Sequence, residues 1–187
     1  MKKDTAMSIY KFRVLLESKE EIFRDIEIKS TQNFFDFHEM IVASYGFDNS
    51  QMASFYLSNS DWEKGQEITL FDMQIDENQN DKVLVMSDTV INTQTTCVGN
   101  HLLYAYDFLN MQNFFIELIE ITTKEDPKAF YPKVVYSQGE APKQKVVLDG
   151  MSEEEVANEL LKDAGFGEEG EDPNDIFEGF DDFDDYQ

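Results

Sequence analysis

The sequence predicts an α+β fold: a mainly antiparallel sheet with helices packed on one face, followed by a C-terminal helix and an acidic, disordered tail. Three observations predict it. Segments of period-two apolar alternation recur from residue 8 to residue 138. One long stretch, "STQNFFDFHEMIVASYGF", switches to helical period. Beyond Gly167 the composition turns to acid, Gly and Phe. Two strands, a helix and then further antiparallel strands is the order of an α+β domain.

The elements follow in chain order. "SIYKFRVLLES" alternates, with Ile9, Phe12, Val14 and Leu16 falling mostly on one face. "EIFRDIEI" offers Phe23, Ile26 and Ile28, and the polar turn "SKEE" between the two makes a hairpin. The helical stretch then takes Thr31 as N-cap, Phe34, Phe37, Ile41 and Tyr45 as one stripe, and Gly46 as the stop. "ASFYLSN" and "QEITLFDMQI" read as strands around Trp62, "DENQNDKV" as a polar loop, and "DTVINTQTT" as a short helix. The clearest sheet signal is a pair of runs, Leu102–Phe108 and Phe114–Ile121, flanking the turn "LNMQN". The second run is apolar enough to suggest a strand covered on both faces. "FYPKVVYSQGEAPKQ" closes this part as an extended segment.

The helix from Ser152 carries the most complete signals. Ser152 and Glu155 form a capping box, Met151 and Val156 a hydrophobic staple, and Gly165 with Phe166 can close a Schellman motif against Leu161. About eleven residues is marginal for an isolated helix, so it should dock on the core or on a partner. The expected organisation is therefore a domain over residues 1–149, a capped helix over 150–166 and a disordered tail over 167–187.

Charge sharpens that division. The 187 residues carry a net charge of -24. From Gly150 onward there are fifteen acidic residues and one Lys, a net of -14; residues 1–149 hold twenty-four acids and fourteen bases, a net of -10. Such a chain repels phosphate, so direct nucleic-acid binding is not expected and a basic protein partner is. Cys97 is the single cysteine, which excludes an intramolecular disulfide and fits a reducing cytosol. "MKKDTAMSIYKF" lacks the apolar region of a signal peptide, and no run approaches the roughly 20 apolar residues that span a bilayer. A cytoplasmic location with no membrane association is the expectation.

The order "Y-x-F-x-V-x-L", "IFR", a helix beginning near "FFDFHEMI" and closing with "YGF", then "LLYAYDF", "YP" and "GEAP" resembles the plasmid pRiA ORF-three-like family. The resemblance covers roughly residues 8–145 and leaves the C-terminal helix and tail outside it. It implies the same α+β fold in a bacterial or archaeal protein, some members being insertion-element passengers, and implies no particular reaction. Arg24 stands where the family has Arg after an aromatic, and His38 at the family's common helical His. Tyr106, Asp107 and Phe108 match its "Y-D-F", Tyr131 and Pro132 its "Y-P", and Gly139 and Pro142 its Gly/Pro-rich segment. The family often continues with Gly-Asp and then a Trp and a His, where this chain has Leu109, Asn110, Gln112 and Phe114. That loss of polar side chains weighs against an enzyme.

The chemistry-bearing residues leave these readings. No phosphate-binding glycine motif is present. A metal site would need His38 or His101 with carboxylates such as Asp36, Glu39 or Asp107, and near neighbours of His38 on a helix diverge; a packed, hydrogen-bonded His is the expectation, with neither metal nor cofactor. Cys97 and His101 do not have a diagnostic spacing, and a small buried thiol is the expectation. Arg24, His38, Tyr106, Asp107 and Phe108 form the candidate pocket; alternatively Arg24 is a structural ion partner for a buried Asp107. Phe177, Phe180, Phe183 and Tyr186 recur every third residue in a field of Asp and Glu. They are the candidate partner-binding residues, burying rings while the acids steer toward a basic rim. The simpler alternative is a tail that only solubilises.

Overall fold

The computed structural model describes residues 7–72 and 83–142. Eight strands make one sheet: β1 (Ile9–Leu16), β2 (Phe23–Lys29), β3 (Ala53–Ser58), β4 (Lys64–Thr69), β5 (Leu84–Val85), β6 (His101–Tyr106), β7 (Gln112–Thr122) and β8 (Lys133–Gln138). Their spatial order is β5-β4-β3-β6-β7-β1-β2-β8. Neighbours are antiparallel, except that β5 runs parallel to β4. The two hairpins read from the sequence, β1–β2 and β6–β7, both form, and they lie side by side through the β1–β7 pairing.

Helix α1 (Phe34–Tyr45) buries the predicted stripe of Phe34, Phe37, Ile41 and Tyr45. Gly46 ends it at φ 70°, a left-handed position that costs a side-chain-free residue nothing. The N-cap is Asn33, not Thr31: the Asn33 side chain accepts from Asp36 N at 2.9 Å. The chain is still turning before it, since Gln32 N donates to Lys29 O, so the first helical turn cannot start earlier. The second helix, α2 (Ile91–Gln94), is a single turn with Ile91 buried.

The expected fold class is therefore corrected. Among the described residues a sheet of eight strands is accompanied by two helices, of 12 and 4 residues, rather than by helices packed as a layer on one face. The physical reason lies in the periodicities. Among the described residues only one stretch sustains a 3.6-residue apolar repeat for three turns, and the "INTQ" turn offers one buried side chain where a packed helix needs a stripe. The C-terminal helix, the domain boundary near residue 150 and the tail all lie outside the described residues.

The core lies between the sheet and α1. Phe12, Val14, Ile26, Ile28, Phe55, Tyr104, Phe114, Ile116 and Leu118 meet the helix side, all of them fully or almost fully buried. Rings pack edge-on and stacked: Phe37 on Phe55 at 5.5 Å, Phe12 on Phe37 at 4.9 Å, Tyr45 on Phe114 at 4.9 Å. The opposite face mixes ion pairs with aromatic contacts. There Arg13 forms a two-pronged pair with Asp25, both bonds 2.8 Å, and Lys11 meets Glu120 and Glu27. β7 is accordingly covered on one face only: Phe114, Ile116 and Leu118 are buried while Glu117 is exposed, which corrects the reading of a doubly covered strand. Trp62 holds a left-handed backbone (φ 60°) in the β3–β4 turn, with its ring against His101 at 4.4 Å and Phe115 at 5.0 Å.

Candidate functional site

Arg24 is the second residue of β2 and points toward α1. Its guanidinium donates to three main-chain carbonyls: Phe23 at 2.9 Å, Gln138 at 2.8 Å and Ser44 at 3.2 Å. Its planar head also lies 4.8 Å from the Tyr45 ring. One buried cation thus ties β2 to β8 and to the last turn of α1, where helix carbonyls carry partial negative charge. No ion pair joins it to Asp107 among the described residues, so the expected Arg24–Asp107 pair is corrected. Gly46 ends α1 beside β2, and that places the Ser44 carbonyl, rather than a carboxylate, within Arg24's reach.

His38 is fully buried, at 0% exposure. Nε2 stands 2.9 Å from Asn49 Oδ1, an acceptor, so Nε2 carries the proton; Nδ1 then accepts from the Tyr104 hydroxyl at 2.7 Å. Burial pushes the His38 imidazole below its ordinary value, with the Asn49 contact opposing, and pushes the Tyr104 phenol well above its own. The histidine is a neutral link between helix, β6 and the loop after α1. Tyr106 reaches the same loop: its hydroxyl donates to Asp48 Oδ1 at 3.1 Å while its ring stacks on Phe47 at 5.0 Å. The structure thus brings His38 and Tyr106 to adjacent loop residues, Asn49 and Asp48. Sequence reasoning missed this pair. The available signal was the Asx turn of "FDNS", where Ser50 N donates to Asp48 Oδ1.

Asp107 shapes the β6–β7 turn. It sits at φ 54°, and its carboxylate accepts from Asn110 Nδ2 at 2.7 Å and from the main-chain N–H groups of Leu109 and Asn110, each at 3.2 Å. Above all the Asn110 amide holds this carboxyl below the usual carboxylate range, with partial burial and nearby Asp48 opposing. Phe108, grouped with the pocket in the sequence reading, is exposed beyond it. The five predicted residues therefore divide between a helix-end clamp (Arg24), a buried link (His38), a loop anchor (Tyr106) and a turn (Asp107, Phe108).

Cys97 is exposed, contrary to the expected buried thiol. Asn100 Oδ1 accepts from both Thr96 N and Cys97 N, a tight loop that leaves the thiol at the surface. Among the described residues no three of His, Cys, Asp and Glu are grouped to hold a metal ion. No described helix is long and apolar enough to cross a membrane. Phe177, Phe180, Phe183 and Tyr186 lie outside the described residues.

Comparison with known proteins places this geometry. The model of a family described as plasmid pRiA4b ORF-3-like protein matches residues 8–185. The chain belongs to that family. The match runs past the roughly 8–145 expected from the short motifs and takes in the stretch from Ser152 and nearly all of the acidic segment, so the view that both lie outside the family is corrected. Among solved structures, the pRiA4b ORF-3-like chain is similar to a protein of unknown function from the archaeon Methanosarcina mazei Go1. The two share 18% identity, the match covers 88% of this chain and 87% of that one, and the TM-score is 0.63. At that identity the likeness shows a shared fold. No curated protein matches the chain.

Proposed function

We propose that this family member is a protein-interaction module whose acidic-aromatic C-terminal segment recognises a basic protein surface. The observation that carries the reading is the commitment of Arg24 and His38 to the fold. Arg24 places Nε and Nη1 on main-chain carbonyls, and both ring nitrogens of His38 are bonded to neighbouring side chains. A pocket built from them would have to break these bonds, at roughly 1–3 kcal/mol for each buried group left unpaired. The rings Phe177, Phe180, Phe183 and Tyr186 are what the sequence offers instead, spaced by three in a run of carboxylates. Rings of this kind supply anchoring area, and the surrounding charge supplies speed and selectivity of encounter.

Deletion of residues 167–187 tests the reading. Affinity capture with the full chain and with the shortened one should differ by a partner whose retention falls as salt is raised. An unchanged set of captured proteins overturns it.

A further inference from the structure

The turn between β6 and β7 has a composition that its structural role does not explain. Leu109 is 91% exposed, Met111 53% and Phe108 45%. None of the three belongs to the core. Isolated apolar residues on a surface are ordinary, but three within four positions at a projecting turn form a patch.

The turn is also held in shape. Asp107 N donates to Met52 O at 3.0 Å, Met111 N donates to Asp107 O at 2.6 Å, and the Asp107 carboxylate caps Leu109 and Asn110. Asp107 and Met111 both adopt left-handed backbone angles, φ 54° and 50°, at some conformational cost. A pre-shaped turn loses less freedom on binding than a loose one.

The charge around it is one-sided. By strand register, the β6–β7 turn shares its end of the sheet with the β1–β2 loop, the α1–β3 loop and the residues after β4, β5 and β8. The described residues of these segments carry Glu17, Glu20, Glu21, Asp48, Asp72, Asp88, Asp107 and Glu140, against Lys19. A second copy would bring the same carboxylates to the contact, and an anionic bilayer would repel them. A cationic protein surface would not.

We infer that the β6–β7 tip is a docking element that inserts Leu109 and Met111 into an apolar pocket rimmed by Lys or Arg on a cationic partner protein. Phe108 supports the insertion from the side and Asp107 fixes the turn. This surface belongs to the folded domain and is separate from the tail reading above.

The test places a photo-crosslinking phenylalanine derivative at position 109 of the full chain in the cells that make it. Support requires an adduct to a basic protein whose cross-linked peptide is apolar and flanked by Lys or Arg. It also requires that Leu109→Ser/Met111→Ser weaken the purified pair at least tenfold with an unchanged melting curve. An adduct between two copies, tip-dependent sedimentation with phosphatidylglycerol vesicles, or no adduct at all overturns the inference. The double variant keeps the tail and the tail deletion keeps the tip, so failure of one reading leaves the other standing.

Discussion

The two faces of the sheet are made by the same strands and hold the structure in different ways. On the helix side, alternate residues of β1, β3, β6 and β7 supply Phe12, Phe55, Tyr104 and Phe114, which pack on one another and on α1 with virtually no exposure. On the other side, the intervening residues of β1, β2 and β7 supply Lys11, Arg13, Asp25, Glu27 and Glu120 in paired rows. Fully burying an aromatic side chain is worth roughly 1.5–3 kcal/mol, whereas a partly exposed ion pair such as Lys11–Glu120 contributes about 0–1 kcal/mol. Stability should accordingly reside on the helix side, and the open face should set register and solubility.

Three substitutions probe that difference. Phe37 lies between Phe12 and Phe55, so Phe37→Ala leaves a cavity on the helix side and should destabilise by about 3–5 kcal/mol in chemical denaturation. A loss under about 1 kcal/mol would mean that the side carrying α1 is not the stability-determining one. His38 gives the next effect through pH. Its folded-state value lies below its unfolded one, so its contribution is complete above about pH 6.5 and is lost as pH falls from there through the folded value. One group can impose at most about 1.4 kcal/mol per pH unit. The melting temperature should fall from pH 7 to pH 5 more steeply than that of His38→Gln; parallel curves would mean that the buried imidazole does not gain a proton on unfolding. The smallest effect is expected on the open face. Lys11→Met keeps the stem and removes the charge from Glu120 and Glu27, and should cost about 0.2–1 kcal/mol, less at high salt. A larger, salt-insensitive loss would make the open face a second source of stability.

Local chemistry was readable where one residue decides an outcome. Gly46 stops α1 because a left-handed residue must follow the last turn, and the Phe34, Phe37, Ile41, Tyr45 stripe marks the buried side of the helix. The candidate site was less legible. Arg24 and His38 were singled out by the family resemblance, and the structure buries both. Their partners were not visible, because Arg24 bonds Gln138, 114 positions away, and His38 bonds Tyr104, 66 positions away. Separations of that size are set by strand order, which no local pattern encodes. Asp107 misled for a related reason. A buried acid suggests a cationic partner, yet its own next three residues satisfy it through two main-chain N–H groups and the Asn110 amide.

By itself the sequence determined the period of the longer strands, the two hairpins, the helix and its stop, and a charge that rises sharply beyond Gly150, since these depend on neighbours within a few positions. Tertiary structure alone decided that β1 lies between β2 and β7, that one sheet face goes uncovered by a helical layer among the described residues, and that acidic loops from separate parts of the chain share one end of the sheet with Leu109 and Met111. Periodicity fixes which residues share a face. Which faces and which ends come together is fixed only when long-range pairing closes the sheet, with each closure's entropy cost offset by the core it completes.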